Sequence, residues 1–199
     1  MPPQDLEQQD IAFRPAPELL AWVQKNILAE DGPLHNPEHK HLNHADLEFM
    51  WASQGFTKAG RQVAGTAEEV TFRAGGWQKG RQVSQMVEWF GRIPDYLITL
   101  DASYCRQCED AEFCALVEHE LYHIAQVEGA FGPEWKKDGT PKIAIRGHDV
   151  EEFVGVVRRY GVGGPEGSIS RLVAAANKAP EVSRVAMAAA CGTCLRRVA

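Results

Sequence analysis

The chain has 199 residues, 44% hydrophobic and 24% charged, with a formal net charge of −6. This composition excludes a disordered or collagen-like chain, and its acidic balance argues against nucleic-acid binding through a basic stripe. No apolar run reaches the roughly 18–20 residues a membrane-spanning helix needs, and the start Met1-Pro-Pro-Gln lacks a secretory pattern, so the expected location is the cytosol.

Taken in chain order, residues 1–17 carry Pro2, Pro3, Pro15 and Pro17 and read as an extended arm. Leu19, Leu20, Trp22, Val23, Ile27 and Leu28 recur at helical spacing, predicting a helix over 18–29 stopped by Asp31-Gly32-Pro33. A second helix is expected over 42–53, from Leu42, Leu47, Phe49, Met50 and Trp51. Glycine-separated segments at 62–65, 69–73 and 75–77 read as short strands or irregular hairpins, and 86–90 fits either a strand or a helical turn. Tyr96-Leu-Ile-Thr-Leu100 is the strongest strand in the chain. A central helix is expected from Glu109 or Asp110 to Glu128, its acidic start suiting the positive end of the helix dipole. Beyond it, Ile143-Ala-Ile145 suggests a short strand. Asp149-Val-Glu-Glu152 fits a capping box opening a helix to Tyr160, which Gly161 stops. Ser168 or Ser170 starts a last helix through Asn177, and residues 180–199 are alanine-rich and peripheral.

Five cysteines without an export signal point away from a disulfide framework. Cys105-Arg-Gln-Cys108 and Cys191-Gly-Thr-Cys194 are two C-x-x-C pairs, and together they make a candidate four-thiolate structural zinc site. Their long separation leaves reduced surface thiols as the plainer reading. Cys114 falls inside the central helix as a small core residue. His35, His39, His41 and His44 crowd into one tract that reads as a solvated loop or helix start rather than a metal site.

The stretch that carries chemistry is Val117-Glu-His119-Glu120-Leu-Tyr-His123-Ile, an H-E-x-x-H motif inside a predicted helix. Histidines at i and i+4 share a helix face and reach one Zn²⁺, while the intervening glutamate sits beside the open coordination position. There Glu120 would take a proton from metal-bound water and pass it to a leaving amine. Random placement of this chain's 7 His and 18 Glu would produce about 0.02 such patterns, so the motif is not an accident of composition.

A catalytic zinc normally has a third protein ligand. His148 is the only histidine after the motif, and Glu151 and Glu152 compete with it. The capping box gives Glu152 a structural task, which favours His148. Tyr122, Arg146 and Tyr160 are all candidates to stabilise an oxyanion.

The block Ala115-Leu-Val-Glu-His-Glu-Leu-Tyr-His123, the strand Asp95–Asp101 before it and Arg146-Gly-His-Asp-Val-Glu-Glu-Phe153 after it resemble the phage metallopeptidase family, which looks related to SprT-like small zincins. The resemblance covers roughly residues 40–162. It implies a zincin-like α+β fold, with the active helix packed on a small mixed sheet and additional helices. It also implies zinc as cofactor and a protein or peptide substrate. His119 and His123 match the metal histidines, Glu120 the catalytic glutamate, and His148 the histidine of an H-D-x-x-E-F block. One departure is Phe131-Gly-Pro-Glu-Trp135, where SprT-like proteins often carry a ligating histidine in place of Phe131.

The expected organisation is an N-terminal arm at 1–17, a metallopeptidase domain at 18–162, and a C-terminal helix and tail at 163–199. The expected function is zinc-dependent peptide hydrolysis, in the host cytoplasm for a phage-encoded chain. Two alternatives stand beside it: a non-catalytic zinc-stabilised interaction module, and a DNA-associated SprT-like protease, which the acidic charge disfavours. The edge of the sheet near Tyr96–Leu100 is the expected place for a substrate strand to align.

Overall fold

The computed structural model describes residues 2–3, 6, 12–58, 60–151, 153–184 and 186–187. The described residues up to Arg146, with 184 and 186–187, form one compact unit, and Gly147–Ser183 form a second. The chain mixes helices with small, partly antiparallel sheets, an α+β architecture as expected.

In the first unit, β1 (Phe13–Pro15) leads into α1 (Pro17–Val23), whose proline occupies the first helical turn, where a missing N–H costs nothing. The helix continues as a π-helical turn over Gln24–Leu28, in which buried Asn26 donates from Nδ2 to the Trp22 carbonyl at 2.8 Å. A 3₁₀ helix, Pro37–His44, follows, capped by the Asn36 side chain. The predicted second helix is absent. Leu47–Ala52 is instead strand β2, buried along its whole length. Its apolar run is too short for periodicity to separate strand from helix, and burial on both faces suits a strand inside a sheet.

After β3 (Phe56–Lys58), β4 (Arg61–Val63) and β5 (Gly65–Glu69) comes α2, Gly76–Phe90. This helix replaces the strand or hairpin expected at 75–77. It resolves 86–90 as helical, and Gly91 ends it in the left-handed conformation (φ 71°). Next, β6 (Tyr96–Asp101) pairs in parallel with β2 and antiparallel with β5, so the sheet order is β1-β2-β6-β5. The strongest strand is therefore interior, and the edge strands are β1 and β5. This corrects the expectation that the Tyr96–Leu100 edge aligns substrate: both of its ladders are already filled.

Asp101, the last residue of β6, caps α3 (Ala102–Gln107), accepting from the backbone N–H of Ser103 at 2.8 Å and Tyr104 at 3.2 Å. Then comes α4, Asp110–Tyr122, opened by a reciprocal capping box between Glu109 and Glu112. Helix α4 ends six residues sooner than predicted, because Ile124–Gln126 is drawn into strand β7, paired antiparallel with β10 (Ile143–Ile145). Between them, β8 (Glu128–Gly129) and β9 (Gly132–Pro133) form a small hairpin. Val23, Ile27, Phe49, Trp51, Ile98, Leu100, Val117, Leu121 and Ile124 join one continuous core. Each large aliphatic or aromatic side chain so buried contributes about 1.5–3 kcal/mol relative to exposure.

The second unit contains α5 (Val154–Tyr160) and α6 (Ser168–Ala176). Helix α5 starts after Phe153 without a side-chain cap, so the predicted Asp149–Glu152 capping box does not open it. Gly161, at φ 80°, ends it as expected. Ser170 ties α6 to the preceding turn, its Oγ donating to the Gly164 carbonyl at 2.8 Å.

Candidate metal centre

The capping box and the acidic first turn (Asp110, Glu112) nucleate α4 at its N-terminus, and Val117 and Leu121, both fully buried, anchor it in the core. With those two positions facing inward, His119 and His123 share another face. Their rings lie 4.9 Å apart between centroids and nearly perpendicular, at 83°. His119 is exposed and His123 half-buried.

The early end of the helix matters for the second histidine. The His123 carbonyl, orphaned at the C-terminus, accepts from the Arg146 N–H at 2.8 Å, while His123 Nδ1 lies 2.9 Å from the Arg146 carbonyl. A carbonyl only accepts, so Nδ1 carries the proton and Nε2 keeps its lone pair for a metal. The Arg146 side chain completes the clasp, donating from Nε to the Tyr122 carbonyl at 2.9 Å. His148 follows Arg146 by two residues. His119 and His123 present their rings on one side of α4. Two imidazoles at i and i+4, one with its tautomer set by a backbone carbonyl, are donors that fit a divalent transition metal.

Glu120 is 3% exposed. Burial pushes its pKa above the ordinary carboxylate value, and this is opposed by the charge of His123 and by a backbone hydrogen bond from the Ala67 N–H of β5. The glutamate of the motif is thus held against the edge strand of the sheet.

The other flank of α4 carries a second polar group that the sequence did not reveal. Asn36 Nδ2 donates to Glu118 Oε1 at 2.6 Å and to the Tyr122 hydroxyl at 2.9 Å, and that hydroxyl donates to Glu38 Oε2 at 2.8 Å. His39, buried at 1% exposure, stacks edge-on against Tyr122 with its Nε2 3.5 Å from Glu118 Oε1. His41 Nε2 lies 2.8 Å from the Ile124 carbonyl. So the histidine tract is not a solvated loop throughout: it lies largely in the 3₁₀ helix Pro37–His44, from which His39 and His41 brace α4 and β7. The helical spacing of Glu118 and Tyr122, parallel to that of His119 and His123, is the one local signal for this face. Among the described residues of the first unit, no group of three His, Cys, Asp or Glu brings its ligand atoms together.

Of the cysteines, Cys105 is buried on α3, where desolvation pushes its thiol up to about 12, and Cys108 donates to the Cys105 carbonyl at 3.6 Å. Cys114 is in the core as predicted. Cys191, Cys194 and the rival ligand Glu152 lie outside the described residues. Phe131 stands fully exposed at the tip of the β8–β9 hairpin, and Glu134 of the same segment pairs with Lys142 at 2.7 Å, so this string serves the hairpin.

No curated protein and no solved structure matches the chain. The profile of the family described as "Putative phage metallopeptidase" does match, over residues 20–177. That description implies a metal and a protein or peptide substrate, and His119 and His123 are donors suited to a metal. By this match over most of its length, the chain belongs to the phage metallopeptidase family.

Proposed function

We propose that the protein is a zinc-dependent peptidase of zincin type, with His119, His123 and His148 as metal ligands and Glu120 as general base. The observation that carries the reading is the pairing of two histidines on one helix face with a buried glutamate one residue after the first of them. A purely structural metal site has no use for a buried carboxylate at that position, where desolvation costs free energy. His148 is favoured over Glu152 by chain connectivity. Arg146 is pinned to His123 through both backbone groups, and two further residues span at most about 7 Å.

Bound zinc would supply Lewis acidity for the scissile carbonyl and acidify a water. Glu120 takes the proton from the attacking water and delivers it to the leaving amine. The Arg146 carbonyl keeps the His123 ring in one tautomer and orientation. Edge strand β5, against which Glu120 lies, is the strand suited to align an extended peptide by strand addition. A cleft of about 600 Å³ between the 3₁₀ helix and the β7–β10 ribbon, reaching Tyr122 and Arg146, has room for a substrate side chain.

Glu120→Gln tests the mechanism: we expect full zinc binding and loss of casein hydrolysis. Undiminished turnover by that variant overturns the role of Glu120. Zinc content per chain separates the two metal proposals. About one equivalent fits the histidine site alone, and about two adds the four-thiolate site of Cys105, Cys108, Cys191 and Cys194.

A further inference from the structure

Gly65 is the first residue of β5 and pairs with Leu100 in a regular antiparallel ladder. Its backbone is outside the left-handed region, so conformation does not call for glycine here. Within a strand, glycine is unfavourable, because it loses the most entropy on folding and offers no side chain to pack. Its presence therefore needs a spatial cause. A Cβ at this position would lie 2.5 Å from Glu120 Oε1 and 3.0 Å from both Cδ and Cγ of the same residue. Those three atoms are its nearest obstacles. Two residues along, on the same side of the strand, Ala67 is also small and gives its N–H to the Glu120 carboxylate.

We propose that Gly65 is a positioning residue for the reaction: the missing side chain makes a slot in the edge strand that fixes where the Glu120 carboxylate rests. The inference builds on the peptidase reading and deepens it. A methyl group there collides with the end of a flexible side chain and not with backbone, so the strand can accept alanine while the carboxylate must move. Gly65 is thus the unusual glycine whose replacement leaves the fold intact and the chemistry impaired. A displacement of about 1 Å in a reacting group can cost about 100-fold in rate.

The test is a double-mutant cycle on Gly65→Ala and Glu120→Ala, read by thermal unfolding, zinc content and hydrolysis of fluorescein-labelled casein. In the Glu120→Ala background the slot is empty, so Gly65→Ala raises the melting temperature by about 2–4 °C. In the wild-type background the rise is smaller or absent. Gly65→Ala keeps its zinc and its KM within about twofold, loses about 100-fold in kcat, and costs no further activity once Glu120 is alanine. Equal melting shifts in both backgrounds overturn the slot. Unchanged kcat in Gly65→Ala overturns the positioning role. A wild-type chain that hydrolyses nothing overturns the peptidase reading instead, and the melting cycle still decides whether Gly65 makes room for Glu120.

Discussion

Replacing Tyr122 by phenylalanine removes one hydroxyl and separates two roles that this residue, next to His123, was eligible for. The hydroxyl accepts from Asn36 Nδ2 at 2.9 Å and donates to Glu38 Oε2 at 2.8 Å. Burial and the bond to Glu38 push the phenol up to about 12, so it stays protonated across the neutral range. In the variant Asn36 keeps its 2.6 Å bond to Glu118, and Glu38, being exposed, is rehydrated. The loss is therefore that of two partly solvated hydrogen bonds, about 1–2 kcal/mol. At about 2–4 °C per kcal/mol for a chain of this size, the melting temperature falls by about 2–8 °C. Because the hydroxyl is engaged on the Asn36–Glu38 flank, kcat should stay within about threefold of wild type. Loss of an oxyanion donor would instead cost about 100- to 1000-fold. Urea unfolding and casein hydrolysis on the same preparation give both numbers. A collapse of kcat without a change in stability would refute the bracing assignment and restore Tyr122 as an oxyanion donor.

Three further outcomes follow from the same geometry. Leu121→Ala, at a fully buried position within the motif, should cost about 2–5 kcal/mol in urea unfolding, and a cost below about 1 kcal/mol would contradict the packing of α4. Glu118 is held below the ordinary carboxylate value chiefly by His39, with Asn36 adding to it and burial opposing. A depressed folded-state pKa contributes stability above the unfolded value near 4.5 and loses it as pH falls through the folded one. Wild type should therefore lose its advantage over Glu118→Gln below about pH 4.5, and a difference independent of pH would refute this. Zinc at about 100 times its dissociation constant should add about 2.7 kcal/mol to the unfolding free energy, and chelation should remove it. His119→Ala should abolish that increment, and an increment that survives the substitution would place the metal elsewhere.

The sequence alone determined what local periodicity and capping can encode. The i, i+4 placement of His119 and His123, the opening of α4 at Glu109–Asp110, the strand at 96–101 and the stop at Gly161 each depend on residues within one or two turns of each other. Tertiary structure decided the rest, because the competing conformations differ only once a distant partner is present. The run Leu47–Ala52 is a strand because β1 and β6 flank it, and α4 stops at Tyr122 because β10 pairs with the residues that follow. The same holds for the site. Asn36 reaches Glu118 and Tyr122 across 82 and 86 residues, and no local pattern announces that His39 is buried while His44 of the same tract is exposed. The sequence could name the glutamate of the motif. Only the pairing of β5 with β6 brings Gly65 and Ala67 against it, since backbone hydrogen bonding between strands far apart in the chain decides which side chains meet.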